Sequence, residues 1–193
     1  HGDLKHSNVM IETRALPHGG SCFHARLLDF GLSRVPSPSA KPLGGTLRWC
    51  APEVFSQSVP PLPAADVYSF GLLIFYTATA ALPYQKHSYL EVARMATRQT
   101  LPPLEWPSTS PFIRRCEPLV ATMMCPDHTA RRGITDVHRD LLHIAQRDED
   151  PTDGSVRHES FWRAVEHSRQ KRDRRDVCPP RQEKKGRRTA MSL

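Results

Sequence analysis

One stretch, His1-Gly2-Asp3-Leu4-Lys5-His6-Ser7-Asn8, places a carboxylate, an ammonium and an amide just ahead of the apolar run Val9-Met10-Ile11. A short apolar run of this kind predicts a β-strand. A second apolar run at residues 25–28 ends before Asp29-Phe30-Gly31, and turn-forming residues at 16–21 lie between the two runs. The pattern therefore predicts an antiparallel hairpin.

The open end of this hairpin is expected to bring two oxygen-bearing side chains together. Asn8 begins one strand and Asp29 follows the other, so the two residues lie side by side if the strands pair. Asp3 and Lys5 lie on the loop that leads in. Mg²⁺ is usually held by one or two protein oxygens together with substrate phosphates. Asp and Asn also cap turns, so this pair alone leaves a purely structural role open.

Three motifs in register carry a family resemblance: Asp3-Leu4-Lys5-His6-Ser7-Asn8, Asp29-Phe30-Gly31 and Ala51-Pro52-Glu53. Their order and spacing resemble the C-terminal lobe of eukaryotic protein kinases. The run Asp66-Val67-Tyr68-Ser69-Phe70-Gly71 is similar to the start of the central helix of that family, and Arg131 stands where its closing arginine is expected. The resemblance covers residues 1–145.

The resemblance implies a mainly α, α+β kinase fold: a helical C-terminal lobe with a small β-hairpin that carries the catalytic and metal-binding loops. The N-terminal β lobe is missing, because the glycine-rich phosphate loop and the strand lysine do not occur in these residues. We therefore expect an upstream segment to supply that lobe and this piece alone to be inactive. Lysine at position 5 resembles the serine/threonine branch of the family, and Trp49 resembles the tyrosine-kinase-like group, whose chemistry is mostly serine/threonine phosphorylation.

The resemblance also implies roles for the residues around the hairpin. Asp3 is expected to orient or accept the proton of the substrate hydroxyl, and Lys5 to lie against the transferred phosphoryl group. Asn8 and Asp29 are expected to bind Mg²⁺. Met10 is expected to lie under the adenine ring of ATP, with strand packing as its alternative.

A further set of residues is implied to support the site and the substrate loop. They are His1, Phe30, Gly31, Thr46, Glu53, Asp66 and Arg131. His1 is expected to pack beneath Phe30 and to be tied to Asp66. Thr46 is expected to hydrogen-bond the catalytic Asp and Lys, and Glu53 to pair with Arg131.

Gly2 departs from the family pattern. Most members carry an arginine at this position, which receives an activation-segment phosphate. Glycine has no cation to hold such a phosphate, so activation by loop phosphorylation is less expected here. Ser33, Ser37 and Ser39 are nevertheless candidate phosphosites, although serines beside prolines are common in any loop.

Residues 67–82 are almost continuously apolar. As a helix this run measures about 24 Å, which is short of a hydrocarbon core of about 30 Å, so it predicts a buried core helix and no membrane span. Three further helices are predicted at residues 88–98, 112–124 and 134–144.

The net charge of +7 lies entirely in the last part of the chain. Residues 1–166 carry 17 basic and 17 acidic side chains, whereas residues 167–193 carry 10 and 3. We therefore predict a kinase C-lobe at residues 1–145 and a basic, disordered tail at residues 146–193. The basic clusters at residues 169–175 and 184–188 could serve nuclear import or bind nucleic acid or an acidic partner. The alternative is that they form a solvated tail without a partner. Five cysteines without a C-x-x-C pair indicate an intracellular protein, cytoplasmic or nuclear.

The leading functional prediction is a protein serine/threonine kinase that transfers the γ-phosphoryl group of ATP, with Mg²⁺, to protein substrates. The alternative is a pseudokinase or scaffold that keeps the fold and binds partners through the C-lobe and the basic tail. A nucleic-acid-associated protein is a third possibility. The upstream sequence distinguishes the kinase from the pseudokinase. A glycine-rich strand followed by a lysine-bearing strand in that sequence supports the kinase.

Overall fold

The catalytic stretch leads directly into a two-stranded antiparallel hairpin in a computed structural model of the protein. A 3-10 turn at His6–Asn8 is followed by β1 (Val9–Ala15) and β2 (Ser21–Leu27). The register runs from the pair Val9 and Leu27 to the pair Ala15 and Ser21. The predicted hairpin is confirmed, and each strand is longer than its apolar run because the ladder continues through the polar residues near the turn.

The structure describes residues 1–17, 19–35, 45–56, 62–107 and 110–148. Ser37, Ser39 and both basic clusters lie outside these residues. The boundary at residue 145 and the basic tail at residues 146–193 therefore stay predictions.

Within the described residues, five helices follow the hairpin: α1 (Pro52–Ser56), α2 (Pro63–Thr79), α3 (Tyr89–Thr97), α4 (Pro111–Met123) and α5 (Ile134–Asp148). The central helix α2 begins four residues before the apolar run that predicted it, because Pro63 occupies its first turn, where a missing N–H costs nothing. The helix ends at Thr79, and Ala80 caps it with a left-handed backbone conformation. The fold is thus mainly helical with one small hairpin, as predicted. Helix α1 and a 3-10 turn at Leu47–Trp49 were not predicted.

The core forms where α2 and α4 pack, with α5 against α4. Gly71 of α2 allows this close approach, because a Cβ there would lie 3.2 Å from the Cβ of Met123. Met123 is fully buried in this core. None of the described helices has the length and apolar character needed to cross a membrane.

A second apolar cluster attaches the loop before α1 to the helices. It contains Trp49 and Ala51 from the loop and Tyr68 and Leu72 from α2, with Val92 from α3. The hydroxyl of Ser69 also donates to the carbonyl of Trp49 over 2.8 Å. These contacts fix the loop that follows Thr46 relative to the rest of the fold.

Candidate active site

The carboxylate of Asp3 is the centre of a hydrogen-bonded cluster. Its Oδ1 accepts from the backbone N–H of Thr46 over 2.9 Å, and its Oδ2 accepts from Lys5 Nζ over 2.7 Å. The side-chain amide of Asn8 donates to the Asp3 carbonyl over 2.9 Å and to Oδ2 over 3.3 Å. The cluster brings together Asp3 and Lys5 from before the hairpin, Asn8 from the 3-10 turn that precedes β1, and Thr46 from the loop before α1.

Lys5 bridges two members of this cluster. Its Nζ donates to Asp3 Oδ2 and also to Thr46 Oγ1 over 2.6 Å. Burial alone would raise the pKa of Asp3, but the hydrogen bonds from Lys5 and Thr46 outweigh it and lower that pKa below its usual 3.8. Asp3 is therefore ionised at neutral pH and is a poor proton acceptor until the donor itself becomes acidic.

Asn8 is buried, and its orientation follows from its partners. Two oxygens of Asp3 face its side chain, so the amide nitrogen must point toward them and the amide oxygen away. The backbone carbonyl of Asn8 accepts from Leu28 N over 2.9 Å, which extends the ladder by one step and sets Asn8 beside the residue that precedes Asp29.

Asp29 lies at the end of the other strand in an unusual conformation. Its φ is +60°, and its Oδ1 accepts from the backbone N–H of Gly31 over 3.2 Å. A Cβ on Gly31 would lie 3.1 Å from that same oxygen, so glycine leaves room for the carboxylate. A non-glycine residue held in the left-handed region is strained, which is common where a side chain must be aimed.

The two ends of the hairpin therefore present oxygen donors, which suits Mg²⁺. Asn8 offers its amide oxygen, and Asp29 offers the carboxylate oxygen that Gly31 does not bind. No hydrogen bond joins Asp29 to Asn8 or Asp3 within the described residues. No group of three or more His, Cys, Asp or Glu in that part of the chain is arranged for a metal ion. Mg²⁺ held by one or two protein oxygens usually also binds substrate phosphates.

His1 connects the Asp3 cluster to the end of β2. The backbone N–H of Asp3 donates to His1 Nδ1 over 3.3 Å, so Nε2 carries the proton and donates to Leu28 O over 3.0 Å. The His1 ring lies 4.9 Å from that of Phe30, centroid to centroid. This ring spans from Asp3 to the residue before Asp29, so it sets the spacing between the two motifs.

Asp66 of α2 hydrogen-bonds the two residues that precede Asp3. Its Oδ2 accepts from the His1 backbone nitrogen over 2.6 Å, and its Oδ1 accepts from Gly2 N over 2.9 Å. Gly2 has a φ of +83°, and a Cβ there would lie 2.8 Å from the Leu32 carbonyl. The position where the family usually has arginine is therefore shaped for glycine.

Glu53 and Arg131 form a buried bidentate pair. Arg131 Nη1 lies 2.6 Å from Glu53 Oε1, and Nη2 lies 2.7 Å from Oε2. Arg131 also donates to the carbonyls of Ala64 and Cys125 and lies over the Tyr68 ring. The pair joins the start of α1 to the segment before α5. Glu53 and Arg131 thus form the pair that the family resemblance predicted.

Met10 of β1 is 38% exposed, on the hairpin face that also carries Arg26 of β2. Its side chain is free for a planar group to contact, and it does not belong to either core cluster.

Sequence reasoning missed Arg48. Its guanidinium is buried and donates to the carbonyls of Pro83, Tyr84 and His87, while it lies 4.9 Å from the Tyr89 ring centroid. The contacts attach the loop that carries Thr46 to the segment before α3. In the sequence, the only sign of this role is that Arg48 lies two residues after Thr46.

Cys50 was also missed. Its sulfur would lie 2.7 Å from a Cβ on Gly45, and that Cβ would lie 3.8 Å from Asp3 Oδ1. Burial, and secondarily the charge of Asp3, raises the pKa of Cys50 to about 12. The thiol is therefore neutral at physiological pH and acts as packing beside the Asp3 cluster.

Comparisons with known proteins show what this chain is similar to. The family model described as the protein kinase domain matches residues 1–142. The dual specificity protein kinase zakA of Dictyostelium discoideum is 37% identical over 102 residues, which is 50% of this chain and 13% of that protein. Receptor-interacting serine/threonine-protein kinase 3 of Rattus norvegicus is 36% identical over 121 residues, or 58% of this chain and 23% of that protein.

A longer match is to the serine/threonine-protein kinase STY46 of Arabidopsis thaliana, which is 28% identical over 148 residues. That match covers 76% of this chain and 24% of the relative. The chain thus spans less than a third of the length of each of these relatives.

Proposed function

Because the chain belongs to the protein kinase domain family, we propose that, within a longer protein, it transfers the γ-phosphoryl group of ATP to serine and threonine hydroxyls of protein substrates. The observation that carries this proposal is the convergence of Lys5, Asn8 and Thr46 on the carboxylate of Asp3. A carboxylate, a cation and an asparagine side chain in one cluster supply groups that phosphoryl transfer needs.

Asp3 acts on the acceptor hydroxyl. Thr46 N and Lys5 Nζ fix its carboxylate, so an incoming hydroxyl meets an oriented acceptor. Because the pKa of Asp3 is lowered, the carboxylate mainly orients the hydroxyl and takes its proton late, when bond formation to phosphorus has made the hydroxyl acidic.

Lys5 stabilises the negative charge that transfer spreads over the phosphoryl oxygens. Its ammonium is already held by Asp3 and Thr46, so little reorganisation is needed when charge develops beside it. Lysine at this position, together with Trp49 in the following loop, supports serine and threonine rather than tyrosine as acceptors. The relatives include both serine/threonine and dual specificity kinases by name.

Asn8 and Asp29 fit a role in binding Mg²⁺ with ATP, since both offer hard oxygens at adjacent strand ends. Mg²⁺ bound there supplies charge neutralisation of the triphosphate. Within the chain, His1 maintains the spacing between Asp3 and Asp29 through its two ring nitrogens, and Gly31 leaves room for the Asp29 carboxylate. We assign to Met10, which is exposed on the hairpin, a contact with the adenine ring.

An upstream N-terminal lobe is part of this proposal. Phe30 is 59% exposed, and Leu27, Leu28 and Met10 are also exposed around the hairpin. A soluble domain rarely leaves large apolar side chains grouped in this way, so they support a covering segment of the same protein. That lobe would supply the phosphate-binding loop and the strand lysine.

The test is transfer from labelled ATP and Mg²⁺ to matched serine, threonine and tyrosine peptides by the full-length protein. Wild type is expected to label the serine and threonine peptides, and Asp3→Asn to lose at least a hundredfold in rate, within the range of a general-base contribution. Asp140→Asn serves as the control, because Asp140 is a half-exposed residue of α5 that pairs with Arg132. Equal labelling by wild type and Asp3→Asn would remove Asp3 from the mechanism, and no labelling by wild type would contradict the proposal and favour a scaffold.

A further inference from the structure

A cavity of about 250 Å³ lies between α2, α4 and the proline-rich segment at residues 101–106. Its described lining includes neither Asp3 nor any residue that hydrogen-bonds Asp3. An apolar cavity of about 150 Å³ already accepts benzene, while drug-sized ligands need about 300 Å³ or more. The volume therefore suits a molecule of one substituted ring.

Two tyrosines that line the cavity share one hydrogen bond, which leaves one hydroxyl proton without an acceptor among the described residues. Tyr68 and Tyr84 are both buried, and their hydroxyl oxygens lie 3.4 Å apart. Each hydroxyl carries one proton, and the bond between them uses only one of the two. No other described group hydrogen-bonds either hydroxyl. A buried donor in this state is destabilising unless something in the cavity accepts from it.

The charge of the cavity restricts what that acceptor can be. Burial raises the pKa of both tyrosines, so the hydroxyls stay protonated and neutral at physiological pH. Glu117 is exposed at the rim and disfavours an anion. Apart from Gln99, the remaining lining residues, which include Pro102, Trp106 and Met124, are apolar.

We propose that this cavity binds a small, uncharged, largely apolar molecule of one aromatic ring that presents a single hydrogen-bond acceptor, such as a ketone oxygen, to the Tyr68–Tyr84 hydroxyl pair. Such a ligand takes the unmatched proton and buries its ring against the proline and tryptophan walls. The site is independent of phosphoryl transfer.

The test compares three probes of similar shape by isothermal titration of the full chain: acetophenone, ethylbenzene and benzoate. Acetophenone is expected to bind about three- to tenfold more tightly than ethylbenzene, which corresponds to one hydrogen bond, and benzoate more weakly than either. Each single variant, Tyr68→Phe or Tyr84→Phe, keeps one hydroxyl proton and is expected to keep this preference. The double variant is expected to lose it. Equal affinity for acetophenone and ethylbenzene in wild type, or a preference that survives in the double variant, overturns the proposal.

A filling variant tests the location separately. Ala121 lines the cavity yet is exposed, so Ala121→Trp is expected to fold, as checked by its thermal melting, and to abolish acetophenone binding. The control is Ala145→Trp, at an exposed position of α5 that does not line the cavity. Unchanged binding in Ala121→Trp, or no saturable binding of acetophenone up to its solubility limit, rejects the site.

Discussion

Replacing Arg131 with methionine is expected to destabilise the fold strongly. The side chains of Arg131 and Glu53 are 1% and 8% exposed, and two short hydrogen bonds join them. Arg131→Met keeps the length of the side chain but leaves the Glu53 carboxylate buried without its cation. Loss of one partner from such a pair costs about 3–5 kcal/mol. The carbonyls of Ala64 and Cys125 also lose a donor, so the upper half of that range is expected.

The assay is urea unfolding of the full chain, followed by circular dichroism, with the slope of the transition checked for constancy. Arg139→Met is the matched control. Arg139 is 61% exposed and pairs with Asp136 over 3.0 Å, so its loss is expected to cost less than about 1 kcal/mol.

A double variant separates the pair from its surroundings. Glu53→Leu combined with Arg131→Met replaces the ions by an apolar pair and is expected to be more stable than Arg131→Met alone, because no buried charge is left unpaired. If Arg131→Met costs no more than Arg139→Met, or if the double variant is the least stable, the assignment of this pair as a buried ionic clamp is wrong.

Three further changes test the loops around Asp3. Gly2→Ala is expected to lower the free energy of unfolding in urea by about 1–3 kcal/mol, because φ is +83° and a Cβ would lie 2.8 Å from Leu32 O; an unchanged value contradicts this conformation. Lys5→Met removes a hydrogen bond that lowers the pKa of Asp3. The stability linked to that lowered pKa is present above pH 3.8 and lost as pH falls through the folded-state pKa. Urea transitions of wild type and Lys5→Met should thus differ at neutral pH and converge in acid; a constant difference argues against linkage. Thr46→Val removes the hydroxyl that receives Lys5 Nζ, so the kcat of the full-length protein should fall about tenfold or more while Thr46→Ser retains it. Equal kcat values in the two variants would exclude a role for that hydroxyl.

The hairpin and the long helices were predictable because each depends on a local pattern. Apolar runs with turn formers between them specify strand pairing, and the continuous apolar run of α2 specifies a buried helix. Helix boundaries were less accurate, since Pro63 begins α2 before its apolar residues appear.

The contacts of Thr46 with Asp3 and Lys5 were expected from family resemblance and not from local pattern. Thr46 lies 43 residues from Asp3 in sequence, and the bond between them uses a backbone N–H that any residue would offer. No periodicity marks such a partner. The resemblance was informative here because it carries knowledge of tertiary structure.

Arg48 and the Tyr68–Tyr84 pair were not predictable for a related reason. The acceptors of Arg48 are backbone carbonyls at least 35 residues away, which leave no signature in side-chain identity. The two tyrosines meet only because the segment after α2 turns back onto that helix. The left-handed backbone of Asp29 is likewise a property of the folded loop.

The most direct test of the central claim is paramagnetic broadening by Mn²⁺ bound with a non-hydrolysable ATP analogue in the full-length protein. In the proposed site, oxygens of Asn8 and Asp29 would hold the divalent ion. This arrangement predicts strong broadening of the Asn8 side-chain amide and the Gly31 backbone amide, with little at Arg131, and loss of the effect in Asp29→Asn. Binding of the Mn²⁺ complex without broadening at Asn8 and Gly31 would contradict it.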